Sequence, residues 1–558
     1  MTLGGLAGLV LLILVCWGGH DLYVRWQERR LVRRALVALQ QGDEKTASLA
    51  ARTVLEIKPV SAPAARIMAE VAEKTGNRVA LDWRRKVVGL IPSSVEDKLA
   101  LARCALQFGD PAFADETLKG IDETGRQLAG YHAVAALLAQ ARQHDDQAET
   151  EWGEAVKLAP EEKGYQLRLG TLRVRSKDEK EYKSGRDILL ELRNDPKQRS
   201  AATRALIIEG VKRHENAHEL LDQARELQGY PEATLGDRLL YLDFLHQSNA
   251  DEFTIYLTDL ENKVAGNPAD LSALMEWMSQ NNLTVLALDF VKTVPADERQ
   301  TWPLPLSESD LYDRLKDWRN LEAATRDANW RGGEFLRHAY LARALRGQDK
   351  PAAAEHEWGE AVKQALGQGT SLLALVRVAA DWKWDKEMLD LLWTLTRDPD
   401  KQNEAVQTLY RYYVKVNDTQ GLYRVLARWT ELAPDNLDIR NNFAQVSLLL
   451  DANAGEARRI AADLYQRAPS NPAYATTYAY SLLTKGNRSG AIKVMSSLND
   501  EQLRDPAISA YYGICLAAVH DGKAREYLEI GQRAKLLPEE KSLVDKALAS
   551  LSTASTAN

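Results

Sequence analysis

Small and apolar residues recur along most of this chain at helical spacing. The clearest case is AETEWGEAVKLA, Ala148–Ala159, followed by Pro160. Ala148, Trp152, Ala155 and Ala159 fall at i, i+4, i+7 and i+11, which is one stripe of an α-helix. The stripe is mostly small, with one large aromatic, so it suits a helix pressed closely against another. The stretch returns 206 residues later as AEHEWGEAVKQA, Ala354–Ala365. That offset is close to six units of about 34 residues, and self-similarity at this period predicts an array of helical hairpins.

The pattern resolves into such hairpins along the chain. One runs from Arg29 to Ile57, with a turn at Gln41-Gly42-Asp43 and small residues at Ala47 and Ala51. Another is Val95–Ile121, with its turn at Phe108-Gly109-Asp110 and a small residue at Ala114. Pro59, Pro92, Pro160, Pro196, Pro231, Pro268, Pro434, Pro469 and Pro538 recur in phase. Proline cannot continue a helix, so each is expected to mark the exit from a hairpin.

These features resemble the tetratricopeptide repeat (TPR) family. The best-matching units are Tyr131–Pro160, Leu437–Pro469 and Pro472–Leu498. In the last, Ala479 lies on the first helix, Gly486-Asn487 in the turn, and Ala491, Met495 and Leu498 on the second helix. The resemblance covers roughly Arg30 to Ser550 and implies an all-α, TPR-like α-solenoid. From Glu161 to about Gln300 the signature residues degenerate: Ser184 and Ala217 stand where the small crossing residues are expected. At Thr301-Trp302-Pro303-Leu304-Pro305-Leu306 two prolines are expected to exclude a helix. The expected organisation is therefore a solenoid half over 30–300, a Pro-rich elbow over 301–306, a second half over 307–550 and a disordered tail over 551–558. Helical pairs are expected again at Ser309–Ala328, Phe335–Leu366 and Ser371–Leu395.

The N-terminus departs from this pattern. Residues 2–19 carry no charge and are long enough to cross a bilayer as one helix. The segment 20–34 that follows holds Arg25, Arg29, Arg30, Arg33 and Arg34, whereas no Lys or Arg precedes the apolar run. The missing basic n-region and the absence of a small-residue cleavage site argue against a secretory signal. The expectation is an uncleaved single-pass anchor in the inner membrane, with its arginine-rich flank and the solenoid in the cytoplasm. A periplasm-facing scaffold for exopolysaccharide or envelope export is the alternative if the anchor is inverted. An anchor followed by a TPR array resembles the layout of the bacterial lipopolysaccharide assembly protein B family, without that family's C-terminal four-cysteine knuckle.

Composition narrows the function. The net charge of −7 comes with scattered Lys and Arg, so nothing marks a nucleic-acid footprint. Cys16, Cys104 and Cys515 are too far apart to suggest a disulfide framework. No phosphate loop, dinucleotide fingerprint or nucleophile elbow is present, and no cofactor is expected. His214-Glu215-Asn216-Ala217-His218 fits H-E-x-x-H, which on one continuous helix would bind zinc with Glu215 as general base, as in a zinc-dependent peptidase. Its position on an inter-helix turn favours a structural reading. Trp152, Trp358 and Trp393 are expected in the core. One ring of Trp382-Lys383-Trp384-Asp385 is a candidate exposed anchor. Asn441-Asn442 opens a first helix, which in TPR proteins lines a concave groove. The function expected is a membrane-anchored scaffold that holds a protein or peptide partner in that groove. The oligomeric state stays open.

Overall fold

The computed structural model describes residues 22–248, 251–326 and 328–555. These residues hold helices and turns and no strand. They divide into two compact units, one ending at Lys263 and the other beginning at Val264. The expected anchor over 2–19 lies outside the described residues, as does Cys16. Among the described residues no helix is long and apolar enough to cross a membrane.

In the first unit, residues 22–40 pair with Glu44–Ile57 across the expected turn, and Ala47 and Ala51 are fully buried between the helices. The arginine-rich segment is thus part of the first helix. Its Glu28 accepts hydrogen bonds from Lys58 Nζ at 2.7 Å and Ser61 Oγ at 2.6 Å, docking it on the next hairpin. Val95–Gln107 pairs with Pro111–Lys119 around Gly109, whose φ of +74° suits glycine and closes the turn. Ala129–Ala141 pairs with Asp145–Leu158, which carries the repeated stretch. Ala148, Trp152 and Ala155 are buried in the seam; Ala159 caps the helix and is half-buried.

Successive hairpins are tied by ion pairs onto buried carboxylates. Arg66 donates from Nε and Nη2 to Asp97 at 2.8 and 2.6 Å, and Arg204 does the same to Asp237 at 2.8 Å for both bonds. Both aspartates sit at the third position of a first helix, capped by Ser94 and Thr234. Bidentate pairing of this kind fixes register as well as adding energy.

The degenerate region keeps the hairpin plan with different crossing residues. Gly185, not Ser184, meets the neighbouring helix in Glu179–Leu192: a Cβ there would lie 2.5 Å from the backbone nitrogen of Val174. Ser184 is half-buried and accepts from Arg173 at 3.0 Å. Ala217 is exposed at the start of Ala217–Gln228, and Ala224 takes the buried crossing position.

In the second unit the expected elbow is not a break. Leu304–Arg314 is a helix that begins within 301–306, with Pro305 in its first turn, where a missing N–H costs nothing. The peptide bond before Pro303 is cis. The two compact units divide at Lys263 and Val264 instead. Pro268 and Pro538 likewise start helices (Pro268–Gln280 and Pro538–Ser555) rather than end hairpins. The last helix runs through the start of the expected tail, with Leu551 packed on the core near Ala510 and Leu528. Residues 556–558 lie outside the described set. Glu334–Gly347 pairs with Pro351–Ala365, and Gly369–Asp381 with Asp385–Leu395, as expected. One apolar cluster continues from Leu321 to Tyr511.

Candidate functional site

The H-E-x-x-H match does not form a zinc motif. His214 has φ +56° in the turn between Arg199–Lys212 and Ala217–Gln228, while His218 lies on the second of these helices. The two imidazoles therefore share no helix face. Glu215 accepts from the Tyr182 hydroxyl and from Arg186 Nη1 at 3.0 and 3.1 Å, so it ties two hairpins together. Among the described residues no group of three His, Cys, Asp or Glu side chains is placed to hold a metal ion.

The candidate anchor in Trp382-Lys383-Trp384-Asp385 is not exposed, because both rings are packed inside. Trp382 and Trp384 are 9% and 6% exposed. They belong to a file of rings: Trp302, Trp330, Tyr340, Trp382, Trp384 and Trp358, with successive centroids 5.0 to 6.3 Å apart. Trp382 Nε1 donates to Asp313 Oδ2 at 2.8 Å, and Arg346 stacks 3.6 Å from the Trp384 centroid. Arg343, within reach of both rings, pairs with Asp313 at 2.7 Å. The file is cement between hairpins. Trp393 is half-buried and donates to the Tyr413 hydroxyl at 3.1 Å.

Asn441 is closed off as well, while Asn442 beside it is half-buried. The helix Leu437–Leu449 starts at its Asn436 cap, and Asn441, one turn in, is 2% exposed with no partner for Oδ1. On the same helix Gln445 Nε2 donates to Tyr511 Oη and to Glu540 Oε1, each at 3.0 Å. The Tyr511 hydroxyl donates to the same Glu540 oxygen at 2.6 Å, and Thr419 donates to Glu539. The start of the last helix thus reaches back to two first helices, at Gln445 and Tyr511, and to the start of Thr419–Leu432. Burial holds the Tyr511 phenol well above its ordinary pKa, so it stays a donor.

The first helices do line an open recess elsewhere in the second unit. Pro268–Gln280, Leu304–Arg314, Glu334–Gly347 and Gly369–Asp381 enclose a groove of about 340 Å3. Pro268–Gln280 presents Ser272, Met275, Glu276 and Ser279, a single helical stripe. Ser272 and Ser307 hydroxyls bridge two of the helices at 2.5 Å. Asp310 accepts from Arg314 at 2.7 Å and from the buried Tyr340 hydroxyl at 3.4 Å. Two groups of the lining have no partner among the described residues: the Ser279 hydroxyl, buried at 6% exposure, and the exposed Arg377, which makes no ion pair. Sequence reasoning pointed to first helices but not to these residues, which are spread over four hairpins.

Each described unit repeats one plan, two helices crossing at a small residue and each hairpin packed on the next. The chain is a TPR-like array of helical hairpins. Among solved structures this TPR-like chain is similar to MamA 41-end from Desulfovibrio magneticus RS-1, at 16% identity over 30% of this chain and 92% of that one, with a TM-score of 0.26. It is also similar to the APC/C hetero-tetramer Cut9-Hcn1, at 14% identity over 83% and 98% of the two chains, with a TM-score of 0.30. No family model and no curated protein matches the chain.

Proposed function

We propose that this chain is a scaffold for protein–protein interaction, with residues 2–19 holding it at a cell membrane and the solenoid in the cytoplasm. The observation that carries the scaffold reading is the groove built by four consecutive first helices, which presents a guanidinium at Arg377 with no ion pair among the described residues. A partner's extended segment would supply an anion to the exposed Arg377 there. The membrane reading is supported by the uncharged run itself and by the helix that follows it. Leu22, Tyr23 and Trp26 are exposed there beside the arginines, with Arg30 5.5 Å from the Trp26 centroid. Aromatic and arginine side chains mixed in this way suit a membrane–water interface.

A photo-crosslinker at Ala374, on the groove lining, tests the groove, with one at the exposed Glu355 as control. The reading expects a defined adduct in membranes from 374 that is absent from 355 and weakened by Arg377→Ala. Identical adducts from both positions would sink it. Reporter fusions at Asn558 test the side of the membrane: activity only outside the cytoplasm would reverse the orientation.

A further inference from the structure

Buried polar atoms without a hydrogen-bond partner are uncommon in native interiors and call for an explanation where they gather. Four of them gather in one stretch of the second unit: Glu298 Oε1, Arg299 Nε, Ser309 Oγ and Trp330 Nε1. Arg299 and Trp330 line the same cavity, which has a volume of about 650 Å3. It lies on the opposite side of helix Leu304–Arg314 from the groove above: Pro305 and Glu308 face the cavity, whereas Leu306, Ser307 and Asp310 face the groove.

The two groups are both donors. An indole N–H can only donate, and a guanidinium has no acceptor. Trp330 is 1% exposed and its indole N–H has no surface open to water, so the ring closes the wall without presenting its N–H. Arg299 is half-buried, and its guanidinium makes no hydrogen bond or ion pair among the described residues. Arg331, exposed on the lining, has no ion pair either. The lining carboxylates do not answer these donors. Asp297 is exposed, and Glu308 accepts from the Tyr312 hydroxyl at 3.3 Å. The Gln300 and Asn329 side chains add amide groups to the wall. The volume falls within the range of about 300–1,000 Å3 usual for small-molecule sites.

We propose that this cavity binds a small organic carboxylate, whose oxygens accept from the outer Nη groups of Arg299 and from Arg331, beside the Trp330 ring. Glu308 and the amides then receive hydroxyl or amide donors on the body of the ligand. The site is separate from the groove proposed for a protein partner and stands or falls without it.

The full chain, labelled with 15N at the tryptophan indoles, is titrated with acetate, malonate and citrate. Trp330→Phe assigns the Trp330 indole resonance. The expected result is a saturable shift of that resonance with at least one acid, not reproduced by sodium chloride at equal ionic strength. Arg299→Met should weaken the binding at least tenfold. Calorimetry on the wild type and Arg299→Met gives the same comparison if Trp330→Phe fails to fold. The proposal is overturned if no acid in the panel saturates, or if Arg299→Met binds as tightly as the wild type.

Discussion

The Nδ1 atom of His132 lies 2.7 Å from Glu151 Oε2, joining the first helix of a hairpin to the second, and the same bond recurs at 2.6 Å between His338 and Glu357. The offset is again 206 residues, so the repeated stretch carries its brace with it. Each pair is only partly exposed. Loss of such a hydrogen bond costs about 1 kcal/mol. His132→Ala should speed amide hydrogen exchange in Ala129–Ala141 and Asp145–Leu158, and His338→Ala should do so in its own hairpin. The pairs share no residue, so the double variant should show the two losses side by side. Unchanged exchange in either hairpin would mean the brace adds nothing to stability.

Gly185 and Ser184 stand next to each other with opposite sensitivities. A methyl group at 185 would meet the backbone nitrogen of Val174 and the Cβ of Arg173, neither of which can swing away. Gly185→Ala should destabilise Lys163–Arg173 and Glu179–Leu192 by about 1–3 kcal/mol, the usual range for an overpacked site. Ser184→Ala loses only the bond from Arg173 and should cost less. Urea denaturation followed by hydrogen exchange in this hairpin compares them.

Glu215 and His218 separate a structural role from a metal role. Glu215→Gln removes the charged acceptor for Arg186 and Tyr182 and should lower stability by about 1–3 kcal/mol. His218 is exposed, and His218→Ala should leave stability within about 0.5 kcal/mol. Neither change should alter zinc content by atomic absorption. Stoichiometric zinc that disappears in His218→Ala would restore the peptidase reading.

Two carboxylates set an acid limit. The hydrogen bond from Arg326, with further bonds from Gln348 and Lys350, brings the Glu322 carboxyl down to about 2. The Arg66 guanidinium holds Asp97 below its ordinary value. Folded-state pKa values below the unfolded ones mean that the unfolded chain binds more protons. The stabilisation is then fully present above the unfolded values, near 4 to 4.5, and is lost as pH falls through that range toward about 2. Thermal unfolding between about pH 7 and 2.5 should show Tm falling across this window. Glu322→Gln should lower Tm at neutral pH and make the fall shallower; an unchanged slope would remove Glu322 from the account.

The hairpins were legible because their turns and buried stripes are local. Gly42 and Gly109 mark turns, and Ala47, Ala51 and Ala114 mark crossings, all within a few residues of one another. The prolines were ambiguous, since a residue that cannot continue a helix is equally at home in its first turn. Pro268, Pro305 and Pro538 were misplaced for that reason. Gly185 and Ala224 were missed because which of several small residues meets the next helix depends on how the two helices lie. The His–Glu braces left a usable signal: His132 and Glu151 are 19 apart, as are His338 and Glu357. The bonds that bring Gln445, Tyr511 and Thr419 to Glu540 and Glu539 left none, because their partners lie 29 to 120 residues apart. The groove at Ser279 and Arg377 is defined by missing partners, which no spacing in the sequence encodes.

Cys104 and Cys515 are each 1% exposed, one in each compact unit, and burial pushes both thiols up to about 12. While the fold is closed neither sulfur is a thiolate, so neither reacts with an alkylating probe. Each becomes reactive only when its own unit opens. The molecule therefore carries a separate stopwatch in each half: the rate of labelling at one cysteine times the opening of the first unit, and at the other the second, within the same sample.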